Sequence, residues 1–253
     1  MSAATSPHVN YILRLADGSL VLAQRLSELC GKGPALEPDI ALTNIALDLL
    51  GQARLLLAHA GTLEGRGRDE DALAYWRDAH EFLNPTLSEL PNGDFAQTCL
   101  RAYLYVSWQA ALWPQLLQSS DTALAAIAEK SRKETRYHCE HLGDWVVRLG
   151  DGTAESHART QRALDYLYPY TNELFDNDAT DEAAAAAGIG PLPATLAASW
   201  QAQVLPLLHE ATLTVPATVP FRSTGRRGVH SEALGHLLGE MQVLARAHPG
   251  ASW

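Results

Sequence analysis

The amino-acid sequence predicts an all-α protein, an antiparallel helical bundle with additional helices, and three observations carry that expectation. Leu and Ala supply 40 residues each, whereas Val and Ile together supply only 15; helices favour the first pair and strands the second. Gly- and Pro-rich breaker clusters cut the chain into long segments whose apolar residues recur at helical spacing. The 253 residues are 47% hydrophobic, enough apolar mass for a real core, and one domain over 1–253 is the expected organisation.

The first helix is expected from about Pro7 to Cys30, with Gly18 a weak point inside it, and it stops at Gly31-Lys32-Gly33-Pro34. The second runs from near Glu37 to about Gly61 and is apolar on nearly every face, as a helix enclosed by others should be. A helix from Asp69 to Leu83 follows the GRGRDED turn, its acidic start facing the positive end of the helix dipole. After Asn84-Pro85 and Pro91-Asn92-Gly93, a long apolar helix covers Asp94 to Gln118, with a bend at Pro114. Asp121 reads as the N-cap of a helix over Thr122–Leu149, closed by Gly150-Asp151-Gly152. Further helices are expected over Ala154–Glu173 (irregular at Pro169), Ala183–Ala187, Pro193–Leu213 and Ser231–Ala247. TVPATVPFRSTGRRG is the one long loop.

Charge and cysteine usage narrow the function classes. A formal charge of −10 argues against a general nucleic-acid binder. No uninterrupted apolar run of about 18 residues points to a membrane span, and the first residues lack a secretory pattern. Cys30, Cys99 and Cys139 are odd in number and far apart, so they read as buried free thiols in a reducing, cytoplasmic setting.

Phosphate loops, GxSxG and HExxH are absent from the sequence. Helical bundles can instead host two metal ions through one Glu from each of two helices and Glu-x-x-His from two more, because i,i+3 spacing puts both ligands on one face. None of the ten His residues has Asp or Glu three positions before it, and Phe95–Leu117 contains no carboxylate. A complete set of this kind is therefore not expected, and the chain is expected to hold no catalytic or metal site of its own. A degenerate remnant is conceivable in Asn44, Asp48 and Gln52, one polar stripe on the most apolar helix, with Glu28, Glu134 and His138 able to face it. A structural network of Asp48, Glu28 and an Arg or His that fixes helix register is the plainer reading. His138, His141 and Glu134 share a helix, but one helix cannot close a tetrahedral shell. Arg222, Arg226 and Arg227 form a basic loop suited to solvent, or to docking a carboxylate-rich partner or a phosphate. Trp76, Trp108, Trp113, Trp145 and Trp200 are expected in the core, and Trp253 at an interface.

Three segments carry a family resemblance: LVLAQRLSELCGKGPALEPDIALTNIALDLLGQARLLL (Leu20–Leu57), ETRYHCEHLGDWVVRLGDGT (Glu134–Thr153) and GVHSEALGHLLGEMQVL (Gly228–Leu244). YWRDAHEFLN, LPNGDFAQT and TNELFD agree with them. Together they resemble the C-type subunits of bacterial phenylacetyl-CoA epoxidases (ring 1,2-phenylacetyl-CoA oxygenases), over nearly the whole chain. The resemblance implies a ferritin-like fold and a non-catalytic role beside a catalytic, A-type subunit that holds the di-iron centre. A reductase subunit with FAD and an iron–sulfur cluster would draw electrons from NADPH. It also implies contacts to the CoA ester from Glu81, Phe82, Leu83 and Asn84, and from Glu182, Ala183 and Ala184. An independent ferritin-like metalloenzyme with an unusual metal, built on Asp48, Glu28, Glu134 and His138, is the alternative. A helical scaffold unrelated to oxygenation is the third.

Overall fold

The computed structural model describes residues 6–217 and 220–251, so the expectation for Trp253 lies outside the described residues. Four long helices make the bundle: α1 (Pro7–Ser27), α2 (Leu36–Glu64), and, after the short α3 (Glu70–Tyr75) and α4 (Thr86–Glu89), α5 (Phe95–Leu116) and α6 (Thr122–Gly150). Helix α1 pairs with α2, α5 pairs with α6, and α2 packs on α6. Then α7 (Ala154–Leu167), α8 (Ala179–Ala186), α9 (Ala197–Glu210) and α10 (Glu232–Ala247) wrap this frame. Among the described residues there is no strand beyond one isolated bridge, Thr224 to Val229, and the arrangement is the all-α, ferritin-like one. Buried apolar side chains from α1 through α10 form one contiguous cluster.

Capping chemistry explains most helix starts. The side chains of Ser6, Asp69, Asp94, Asp121, Thr153 and Asp178 each accept a backbone N–H of the following first turn. Asp178 starts α8 at Ala179, earlier than the expected Ala183, because its carboxylate takes the Thr180 and Asp181 N–H groups. The irregularity at Pro169 is a 3-10 segment over Tyr168–Phe175. A 3-10 turn over Pro193–Leu196 precedes α9.

Two local expectations are corrected by long-range contacts. The helix expected to reach Leu83 ends at Tyr75. Beyond it Arg77 and Asp17, both almost fully buried, form a bidentate ion pair. Asp17 also accepts the Leu83 N–H at 2.8 Å, and Arg77 donates to the carbonyls of Leu73 and Glu81. These bonds pull 76–85 across α1 as an irregular strap, with the Phe82 ring against the guanidinium. Gly18 is no weak point, since α1 runs through it. A Cβ there would lie 2.2 Å from the Tyr105 hydroxyl, so this glycine lets α5 approach α1.

The arginine loop is also corrected. Arg226 is turned inward at 8% exposure; its guanidinium donates to Asp181 at 2.7 Å and its N–H to Glu173 at 2.7 Å. Arg14 joins the same cluster through Asp178 at 2.6 Å and Asp181 at 3.2 Å. Burial raises Asp178, but the Arg14 hydrogen bond and charge overcome it and hold the carboxyl well below its usual range. Arg222 and Arg227 remain half-exposed and pair with Asp176 and Asp178. Of the tryptophans, Trp108, Trp113 and Trp200 are buried and Trp145 packs partly against the core, whereas Trp76 is 49% exposed. Cys30 is exposed, Cys139 half-buried and Cys99 buried.

Helix α2 departs from the expectation of full enclosure. Leu36, Ile40, Leu47 and Leu50 are 69%, 50%, 60% and 40% exposed, and helical spacing places all four on one arc of the surface. By length and composition α2 is apolar enough to cross a membrane, although half of its most apolar window is buried within the bundle.

Candidate functional site

The centre of the bundle is where a ferritin-like protein would assemble metal ligands. Here it holds a row of two amides and a hydroxyl that ends in one carboxylate. Gln109 of α5 donates from its amide to Ser19 Oγ of α1 at 3.1 Å and to Gln52 Oε1 of α2 at 3.2 Å. Gln52 in turn donates to Glu134 Oε2 of α6 at 3.2 Å. Ser19, Gln52 and Gln109 are fully buried, and the row reaches solvent through Glu134, whose other oxygen meets Lys130 Nζ at 3.1 Å. All four long helices are thereby cross-linked. Trp113 Nε1 adds a bond between α5 and α6, donating to Thr135 Oγ1 at 3.0 Å.

Beside this row, His138 Nε2 lies 3.0 Å from Asp48 Oδ2. His138 is fully buried while the Asp48 side chain is 41% exposed. Burial lowers the His138 pKa more than the neighbouring Asp48 and Glu134 carboxylates raise it, so the ring is neutral near pH 7 and donates to Asp48. His141 is lowered by burial too, and its ring stacks on Tyr137.

Of the proposed remnant, then, the structure unites Asp48 with His138 and Glu134 with Gln52. Glu28 sits apart from them: it accepts from Arg25 at 2.7 Å and from Asn92 at 2.9 Å, pinning the Asn92 turn to the end of α1. Asn44 is exposed, so the stripe runs from solvent at Asn44 into the core at Gln52. Gln109 and Ser19 were not among the sequence candidates; a lone amide in the middle of the most apolar stretch of α5 was the available signal.

These residues do not fit a pair of iron ions. Such a pair requires several anionic oxygens and two imidazoles directed at one point. The row offers one carboxylate, Glu134, and the neighbouring pair adds Asp48 and a single imidazole. The Gln52 carbonyl oxygen already accepts from Gln109, and amide nitrogens are not ligands for a hard cation.

The segments implied to meet the CoA ester are partly internal and partly at the surface. Phe82 and Asn84 are fully buried. Asn84 donates to Ser88 Oγ, to Glu89 Oε2 and to the Pro85 carbonyl, and so organises α4. Glu81 is exposed but accepts the Asp78 N–H in a capping box, and Leu83 is half-buried. On α8, Glu182 is exposed, Ala183 half-buried and Ala184 buried. The side chains of Phe82, Asn84 and Ala184 are packed into this chain's own core, whereas Glu81 and Glu182 face outward.

Residues 1–253 match the profile of the family described as phenylacetic acid catabolic protein. The chain is 49% identical over 243 residues to the C subunit of the 1,2-phenylacetyl-CoA epoxidase of Escherichia coli (strain K12), covering 96% of this chain and 98% of that one. The chain belongs to the phenylacetic acid catabolic protein family.

Proposed function

We propose that this chain is the non-catalytic, structural subunit of a multicomponent monooxygenase that epoxidises the ring of phenylacetyl-CoA during aerobic phenylacetate degradation in the cytoplasm. In this reading the catalytic, A-type subunit holds the di-iron centre, and a reductase subunit with FAD and an iron–sulfur cluster delivers electrons from NADPH. The observation that carries the proposal is the Ser19–Gln109–Gln52–Glu134 row, which supplies the bundle centre with amides, a hydroxyl and a single carboxylate where a di-iron pair needs several anionic oxygens. The exposed apolar arc of α2 supports the partner role. A face of large aliphatic residues on a long helix suits burial against another helical subunit, in an interface of more than about 2,000 Å².

The role that follows is mechanical: a rigid second bundle holds the helices of its catalytic partner, and the CoA-ester pocket they form, in working geometry. Activity assays of the reconstituted complex with each chain omitted in turn test this. Omission of this chain should abolish epoxidation while the catalytic partner keeps its iron. Full epoxidation by the catalytic partner and reductase without this chain would refute the role.

A further inference from the structure

At one end of the bundle, away from the amide row, three metal-ligating side chains from three helices converge. His8 stands on the first turn of α1, His59 near the end of α2, and Asp121 is the N-cap of α6. His8 Nε2 lies 2.8 Å and His59 Nε2 2.6 Å from the same atom, Asp121 Oδ2. Among the described residues this is the group of His, Cys, Asp and Glu donors that could hold a metal ion, with its three donor atoms all within 4.8 Å of one another.

The carboxylate is fixed in place by its own helix. Asp121 Oδ1 accepts the Ala123 and Leu124 N–H groups at 3.1 and 3.0 Å, which turns Oδ2 toward the two rings. The rings meet edge to face, their planes 75° apart, and both Nε2 atoms point at Asp121 Oδ2. Side-chain exposures of 31%, 14% and 7% for His8, His59 and Asp121 leave an approach from solvent on the His8 side.

We propose that His8 Nε2, His59 Nε2 and Asp121 Oδ2 form a binding site for one divalent transition-metal ion of the zinc class. Two imidazoles and one carboxylate make a three-ligand set that suits Zn²⁺ and leaves its fourth position for water, whereas Mg²⁺ prefers oxygen ligands alone. Ligand atoms around a tetrahedral zinc sit about 3.3 Å apart, given metal–ligand bonds of about 2.0–2.1 Å. Each nitrogen therefore has to withdraw from Oδ2 by roughly 0.5–0.7 Å on binding. His8, partly exposed on a first helical turn, has the room. In the metal-free arrangement each ring donates Nε2–H to the shared oxygen. On metal binding each neutral ring carries its proton on Nδ1 instead, and Nε2 gives its lone pair to the ion. The site departs from the expectation that the chain holds no metal, and it shares no residue with the amide row. Its consequence is a cross-link: His59 and Asp121 are 62 residues apart and His8 and Asp121 113, so the ion would staple α1, α2 and α6 at their shared end.

Calorimetric and thermal-shift titration of the chelator-treated full chain with ZnCl2, and separately with MgCl2, tests the proposal. One Zn²⁺ per chain is expected, with Tm raised by about 5–10 °C at a hundredfold excess over Kd and no shift with Mg²⁺. His8→Ala, His59→Gln and Asp121→Asn should each weaken binding at least tenfold; Asn keeps the helix cap, so metal-free melting of that variant should stay close to the parent. Two results would overturn the assignment: no saturable Zn²⁺ binding at one per chain, or binding that persists unchanged in His8→Ala and His59→Gln.

Discussion

Asp17→Asn removes the charge that faces the buried Arg77 guanidinium, and its cost follows from what it leaves behind. Arg77 is 2% exposed and Asp17 fully buried, so water cannot replace the lost carboxylate. Breaking a buried pair by removing one partner costs about 3–5 kcal/mol, because the remaining charge is stranded. In a domain of this size that is a fall in Tm of roughly 6–20 °C. The double variant Asp17→Leu with Arg77→Met removes both charges and should recover part of the loss. It should stay about 1–3 kcal/mol below the parent, because the Leu83 N–H still loses its acceptor. Urea denaturation of the three proteins, read by circular dichroism, measures both steps. A single variant within about 1 kcal/mol of the parent, or a double variant no more stable than Asp17→Asn, would refute the role of this pair in holding the 76–85 strap.

Gly18→Ala would ordinarily gain about 1 kcal/mol in a helix interior. Here the new methyl meets the Tyr105 hydroxyl at 2.2 Å and Pro85 Cδ at 3.3 Å, so a loss of about 1–3 kcal/mol is expected, partly relieved by Tyr105→Phe; a stabilised variant would contradict the contact. His230 is desolvated, but hydrogen bonding to Glu89 at 2.7 Å and to the Phe82 carbonyl at 2.8 Å outweighs that and raises its pKa. Its stabilisation should be complete below about pH 6.5 and fade as pH rises through the raised folded value. The stability gap between parent and His230→Gln, measured by denaturation from about pH 6 to about pH 9, should therefore shrink with rising pH, and a constant or widening gap would refute the assignment. Leu47→Glu on the exposed arc of α2 should leave the isolated chain within about 0.5 kcal/mol of the parent yet weaken capture of the catalytic partner at least about tenfold; unaltered co-purification would exclude that face as the interface.

Legibility from the sequence follows how local the determining physics is. Caps and breakers act over a few residues, so the starts of α5 and α6 at Asp94 and Asp121 were readable, as was the irregularity at Pro169. The lack of carboxylates on α5 was also visible, and the structure adds that Gln109 stands at the centre in their place. The end of α3 was not readable, because Tyr75 is its last residue only through a bond between Arg77 and an aspartate 60 positions away. The apolar run of α2 reads as a helix enclosed within its own fold, yet periodicity does not distinguish that from a face kept apolar for another subunit. His8, His59 and Asp121 carry no spacing motif at all and meet only through the packing of three helix ends. Arg226 looked like part of a surface run, since nothing nearby in sequence indicated Asp181 or Glu173 as its partners.

On the proposed function, the Ser19–Gln109–Gln52–Glu134 row at the bundle centre holds the helices together and binds no di-iron pair. Anaerobic titration of the purified full chain with Fe(II), followed by exposure to O2 and measurement of iron per chain with Mössbauer spectroscopy, tests it most directly. No coupled diferric signal is expected, and any single bound ion should be lost in His59→Gln and retained in Glu134→Ala. Two irons per chain with a coupled diferric spectrum that vanishes in Glu134→Ala would contradict it.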